Sequence, residues 1–160
     1  MAAPSRRLVI AILAIAVLLF VVAAWNPLVA GDHDHATVTI EDEHGTELAT
    51  FDAEVADTPY QRYLGLSDHD DLADDEGMLF VFEDEDDRAF VMRDMDFPID
   101  IIFADANGEI TTIYEAPVPE HDDAELERYE GSAQWVLEVP KGVAADRGIE
   151  PGDRLRIEFE

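Results

Sequence analysis

The chain begins with a run that has no period at all: each of the 17 residues from 8 to 24 is apolar. About 20 apolar residues span a bilayer as a helix, so this run predicts an N-terminal transmembrane helix with Trp25 at the headgroup level. From Thr37 a period of two takes over. The segment ATVTIEDEHGTELATFDAEVA reads as two strands joined by a turn at residues 42–45, with Val38 and Ile40 on one face of the first. DTPYQRYLGL then signals a helix, with Asp57 or Thr58 as N-cap and Pro59 at the first helical position. Tyr60, Tyr63 and Leu64 would form its apolar stripe and Gly65 its stop.

GMLFVF, residues 77–82, has the uniform apolarity of a buried strand; EDEDDR reads as an acidic turn and AFVMR as a returning strand. Residues 99–104 and 109–116 read as a hairpin through Asn107-Gly108. A long polar connection follows, with room for a short helical turn, and AQWVLEVP is a further strand. The C-terminal segment predicts a short helix at 143–147 capped by Gly148, a turn at Pro151-Gly152 and a last strand. About eight strands with one or two short helices predict a mainly-β sandwich or small barrel. The expected organisation is a membrane segment at 1–30, a linker at 31–36 and a β domain at 37–160.

Charge changes this picture more than composition does. The net charge is −28; all 38 Asp and Glu follow Gly31, against eight of the 10 basic residues. Such a surface repels nucleic acid and anionic lipid, so no nucleic-acid partner is expected. Acid excess can keep a chain disordered, but Val, Ile, Leu and Phe recur at strand spacing throughout the acidic region. Adaptation to high salt is the remaining reading. At molar ionic strength the Debye length falls to about 3 Å, the repulsion is screened, and the acids stay as a hydrated coat. The chain has no cysteine, which excludes disulfides, thiolate metal sites and a cysteine nucleophile.

Arg6 and Arg7 are the only cations beside the apolar run, placing the N-terminus in the cytoplasm and the acidic domain outside. Cleaved signal peptides have apolar cores of about 7–15 residues, shorter than this one. Small residues before Trp25 and Gly31 would still permit cleavage, so secretion is the alternative to a single-pass anchor. SRRLVI resembles the twin-arginine export signal, whose cargo is already folded, or is only the positive-inside flank; the topology is the same. In GDHDHA, His33 and His35 with Asp32 and Asp34 could bind a divalent metal, but two histidines at i, i+2 converge only on a strand. The segment reads as a solvated linker, and no metal or cofactor is expected.

Three segments in order, VADTPYQRYLGL, EGMLFVF and FVMRDMDFPIDIIFADANGEI, followed by VLEVPKGVAADRGIEPGD, resemble the uncharacterised family called domain of unknown function 192. The resemblance covers roughly residues 38–158 and implies a compact, mostly-β domain, often exported or membrane-anchored, with no assigned reaction. Phe90, Met92, Pro98 and Asp100 match the family pattern, with Arg93 in place of lysine and Ile99 in place of leucine. Arg62 and Gly65 match its earlier arginine and glycine. Val91, Asp94, Met95 and Asp96 depart from the expected tryptophan, asparagine, threonine and aliphatic residue, and Ser67 replaces a methionine.

Asp100 is the acid hardest to explain by solvent, because it lies in a strand among Ile99, Ile101, Ile102 and Phe103. A carboxylate there must be paired, hydrogen-bonded or facing a ligand. Arg62 and Arg93 are the expected partners. Asp100 then either caps the Phe97-Pro98 turn, locks the helix to the sheet through Arg62, or lines a pocket. Asp94 is a second candidate, and Asp96 reads as surface acid. Glu76 with Asp100 would make a carboxylate pair suited to glycoside hydrolysis. Phe90, Met92, Phe97, Tyr114 and Trp135 could line a groove, although core packing is the default for such residues. The resulting expectation is an envelope binding or accessory module with Arg62, Arg93, Asp94 and Asp100 near its ligand, a glycan or a protein. An envelope carbohydrate hydrolase and a purely structural protein are the alternatives.

Overall fold

The computed structural model describes residues 34–120 and 126–160. The expected membrane helix, Arg6, Arg7 and His33 lie outside the described residues, as does part of the expected helical turn in the polar connection. Seven strands follow: β1 (His35–Glu41), β2 (Glu47–Ala56), β3 (Glu76–Phe90), β4 (Ile99–Ala104), β5 (Ile110–Ala116), β6 (Tyr129–Pro140) and β7 (Arg154–Phe159). Two short helices, α1 (Pro59–Leu64) and α2 (Val143–Arg147), complete the domain. β1 starts at His35, so two residues expected in the linker belong to the sheet.

The chain is mainly β, but the strands form one seven-stranded sheet in the order β5-β4-β6-β3-β2-β1-β7, which corrects the sandwich or barrel expectation. Only the β2–β3 pair is parallel. Its crossover carries α1, and it is what merges the N-terminal hairpin and the later strands into one sheet instead of two. The edges β5 and β7 meet only at a corner. There Glu109 bridges Arg154, and the Leu155 N–H donates to the Gly108 carbonyl at 2.8 Å. Gly108 sits at φ +79°, in the left-handed region, where an added Cβ would lie 2.6 Å from the Leu155 carbonyl oxygen. The Asn107-Gly108 turn therefore needs glycine both for its conformation and for this close approach.

The expected acidic turn after GMLFVF does not form. β3 continues through it as a 15-residue strand with a large bulge. Val81 pairs with Trp135 and Asp86 with Ala133, so residues 82–85 stand opposite Gln134 alone. Arg88 holds the bulge together by donating to the Asp84 carbonyl at 2.8 Å and to the Asp84 carboxylate at 3.0 Å. A bulge bends its strand and re-aims side chains. Here it brings Arg88 back over Phe82.

Helix α1 starts as its sequence predicts. The Thr58 hydroxyl accepts from the Gln61 N–H at 3.1 Å, and the Gln61 side chain accepts from the Thr58 N–H at 3.0 Å. Its apolar stripe, however, is not buried: Tyr60 is 72% and Tyr63 66% exposed. Six residues make fewer than two turns, too few to build a stripe. The helix is tied down instead by Arg62, which donates to the Asp57 and Val81 carbonyls.

The sheet buries apolar clusters on both faces, and the alternation along β4 and β6 separates them. Ile102, Ala104, Leu137 and Val139 join Val38, Phe51 and Leu155 on one face, with Val143, Ala144 and Ile149 from and after α2. Ile99, Ile101, Phe103 and Val136 join Met78, Phe80, Leu66 and Met92 on the other. The second face carries the cleft.

Candidate functional site

A cleft of about 350 Å³ opens on this second face, between α1, the bulged part of β3 and the segment 91–95. Its walls are apolar: Leu66, Phe80, Phe82, Phe90, Met92 and Met95. The rings are held edge to face, Phe80 with Phe90 at 4.9 Å and Phe82 with Phe90 at 6.5 Å, both near perpendicular. They form a rigid lining.

Three arginines converge on this lining. The Arg62 and Arg88 guanidinium carbons lie over the Phe82 ring, at 5.2 and 4.2 Å from its centre. Arg93 lies over the Tyr63 ring at 4.1 Å and donates to the Tyr63 carbonyl. Stacking on aromatic faces fixes the planar groups without consuming all of their N–H donors. The Ser67 hydroxyl donates to the Arg93 carbonyl at 2.9 Å and so joins the segment 91–95 to the turn after α1. Of the eight cations after Gly31, three line this one cleft, and Asp87 is the only aspartate lining it.

Glu138 also lines the cleft. It shares a face with Val136 on β6, opposite Met78 of β3 and Ile101 of β4, and is 6% exposed. Burial alone pushes its carboxyl up to about 8, so it is mainly the neutral acid at pH 7. No hydrogen bond joins its carboxyl to another described residue. The sequence reading passed over it. An acid between Leu137 and Val139, on the apolar face of an otherwise buried strand, was the available signal.

Asp100 is buried, at 1% exposure, but not against an arginine and not in this cleft. Its Oδ2 accepts from the Gly142 and Ala144 N–H groups at 3.0 and 2.9 Å. It thereby caps α2 from the neighbouring strand, because Gly142 at the N-cap position has no side chain to do so. Burial holds its carboxyl above the usual range; the two backbone donors pull the other way, as does Lys141, while Glu115 adds to the rise. The expected Arg62 and Arg93 partnerships are thus replaced by a helix cap on the opposite face of the sheet. Glu76 is not its partner either. It is exposed and accepts from the Ala73 N–H at 3.0 Å, and alternation along β3 sends it to the other face.

Asp94 lines a neighbouring polar cleft with Asp96, Val118 and Leu126, its carboxylate 3.8 Å from Arg93 Nε. It is the one described non-glycine residue at positive φ, +54°, a conformation that Asp and Asn tolerate best. That backbone requirement accounts for an Asp where the resembled family has Asn. The structure therefore brings Arg62 and Arg93 together, sets Asp94 just outside and removes Asp100. Phe90 and Met92 line the cleft as a groove reading would have it, whereas Trp135 packs against the cluster on the first face.

Comparison with known proteins agrees with this architecture. A crystal structure from Sinorhizobium meliloti 1021, provisionally named a transcription regulator, is 29% identical with a TM-score of 0.70, covering 79% of this chain and 96% of that one. A protein of unknown function from Novosphingobium aromaticivorans DSM 12444 is 33% identical with a TM-score of 0.66, covering 75% and 83%. No curated protein matches. The sequence model of domain of unknown function 192 (DUF192), described as "Uncharacterized ACR", matches residues 39–157, and the chain belongs to this family.

Proposed function

We propose that the domain is a membrane-anchored, extracytoplasmic binding module whose cleft takes a small organic anion with an apolar body. The observation that carries this reading is the convergence of Arg62, Arg88 and Arg93 on one apolar cleft in a chain of net charge −28. Three guanidinium groups on one cleft make it a local exception to an otherwise acidic surface. The guanidinium fork matches carboxylate or phosphate oxygens, and the Phe and Met walls suit an apolar body behind them. A fragment of the cell envelope, such as an acidic glycan end or a peptide carboxylate, has this chemistry.

The transcription-regulator name of the Sinorhizobium structure does not transfer readily, since so acidic a surface opposes the phosphate contacts that dominate DNA affinity. The hydrolase alternative loses its proposed carboxylate pair, because Asp100 and Glu76 lie on opposite faces of the sheet. Isothermal titration of the full-length chain with benzoate, in detergent and molar salt, tests the binding reading. Arg93→Gln should weaken binding about tenfold, while Arg128→Gln, an exposed arginine paired with Glu130, should leave it unchanged. Absence of benzoate binding, or equal binding by Arg93→Gln, would refute it.

The halophilic reading belongs to the same proposal. The described ion pairs are mostly exposed and contribute little each, so nothing local offsets the general repulsion of the acids. Circular dichroism should show the β signal lost on dialysis from about 1 M to about 0.1 M salt, as the Debye length grows from roughly 3 to 10 Å. A melting temperature that stays constant across that range would sink it.

A further inference from the structure

The anion-binding reading makes no use of Glu138. We infer that Glu138 is a hydrogen-bond donor to the ligand, and that the cleft selects an organic anion carrying a second, uncharged oxygen acceptor at its buried end. A keto or ether oxygen would serve. This inference rests on the anion-binding reading of the same cleft and adds the chemistry of the ligand's far end.

The argument starts from what surrounds the carboxyl. Glu138 is 6% exposed and opens onto the cleft. Its neighbours across the sheet, Met78 on β3 and Ile101 on β4, offer no hydrogen bond, and no described residue supplies one. The charged groups facing the cleft are Arg62 of α1, Asp87 and Arg88 of β3, and Arg93 of the segment before β4; none is paired with Glu138. β4 contributes Ile99. Here an ionised carboxylate would have no protein donor and would reach solvent only through the cleft, a costly state for such a group. The neutral acid needs only one acceptor for its O–H, and the protein provides none. Whatever enters the cleft can complete it. The carboxyl being raised to about 8, the donor form persists through neutral pH and disappears above it.

The ligand therefore has an anionic group toward the arginines, an apolar middle against Phe80, Phe82 and Phe90, and an oxygen acceptor toward Glu138. A site that hydrogen-bonds a substrate group rejects analogues lacking it, because the buried polar group is then left unpaired. 4-Acetylbenzoate and 4-isopropylbenzoate make a suitable probe pair. They share the carboxylate, ring and branched end, and only the first has the acceptor oxygen.

The test uses the full-length chain in detergent and molar salt. At pH 6.5 the acetyl probe should bind about tenfold more tightly than the isopropyl probe. Glu138→Gln keeps an N–H donor and should keep the preference, while Glu138→Leu, which suits its apolar surroundings and should fold, should abolish it. Wild-type preference should fade above about pH 8, and that of Glu138→Gln should not. Equal binding of the two probes by wild type, or an undiminished preference in Glu138→Leu, overturns the role of Glu138 while leaving the anion site intact. Failure of both probes to bind overturns the anion site and this inference together. Carbon-13 NMR of the Glu138 carboxyl gives a ligand-free check: a titration midpoint in the ordinary carboxylate range also overturns it.

Discussion

Raising the pH from about 4.5 to about 8 is expected to cost the folded domain roughly 5 kcal/mol through Glu138 alone, and Glu138→Gln should remove that dependence. The sign follows from proton counting. The folded carboxyl holds its proton up to about 8, whereas in the unfolded chain it releases it near 4.5. Between these values the native state binds one proton more, so stability falls as pH rises. The contribution is full below 4.5 and gone above about 8. Asp42 and Asp105 act oppositely. Turn hydrogen bonds, such as those from the Thr46 and Glu109 N–H groups, hold their carboxyls below the usual value against some burial, so their contribution is lost only in acid, below about pH 4. The two trends occupy separate windows. Melting temperatures in molar salt between pH 5 and 9 should therefore fall for wild type and fall much less for Glu138→Gln. A flat wild-type profile, or parallel slopes for the two proteins, would show that Glu138 is solvated and ionised.

The second large effect belongs to Asp100, and it separates a cap from a charge. Asp100→Ala should destabilise the domain by about 2–4 kcal/mol, because it leaves the Gly142 and Ala144 N–H groups buried without an acceptor. Asp100→Asn keeps an amide oxygen for both donors and removes a charge that burial disfavours, so it should stay within about 1 kcal/mol of wild type. Benzoate binding should be unaffected in the Asn variant, since Asp100 lies on the face away from the cleft. Thermal unfolding in molar salt measures both. An Ala variant as stable as wild type would remove the cap from the account, and an Asn variant as unstable as Ala would mean that the negative charge is required. The buried Oδ1 of Asp100 has no partner, which makes the Asn outcome informative: its amide nitrogen would occupy that position.

Much of the fold was legible in local patterns. The 42–45 turn, the Thr58-Pro59 helix start, the Asn107-Gly108 hairpin and the 143–147 helix with its Gly148 stop all occur as read. Each depends on interactions within a few residues. The errors were of another kind. Residues 83–88 look like a turn because five of the six are acidic, yet β6 pairs with 86–88 from about 45 positions away and keeps the segment in the strand. Tyr60 and Tyr63 look like a core stripe, yet α1 is too short and is held through Arg62.

The candidate site divided along the same line. Arg62 and Arg93 were read as partners of Asp100, a pairing the structure does not make, and they line one cleft instead. Arg88 was hidden in the misread turn. Asp100 stood out correctly as a buried acid, but acidity and position within a strand do not say which donors will meet it. Those donors came from a helix start more than 40 residues onward. Glu138 was written in the strand in plain view, one acid at an apolar position among Val136, Leu137 and Val139.

By itself, the sequence determined most of the elements with their caps and turns, the acidic charge balance and the family, because these follow from neighbouring residues or from totals. Tertiary structure alone decided that the strands form one sheet, that Asp100 closes a helix, and that three arginines and a neutral glutamic acid meet in an apolar cleft. Burial and pairing depend on which distant segments touch, and only the folded backbone brings those segments together.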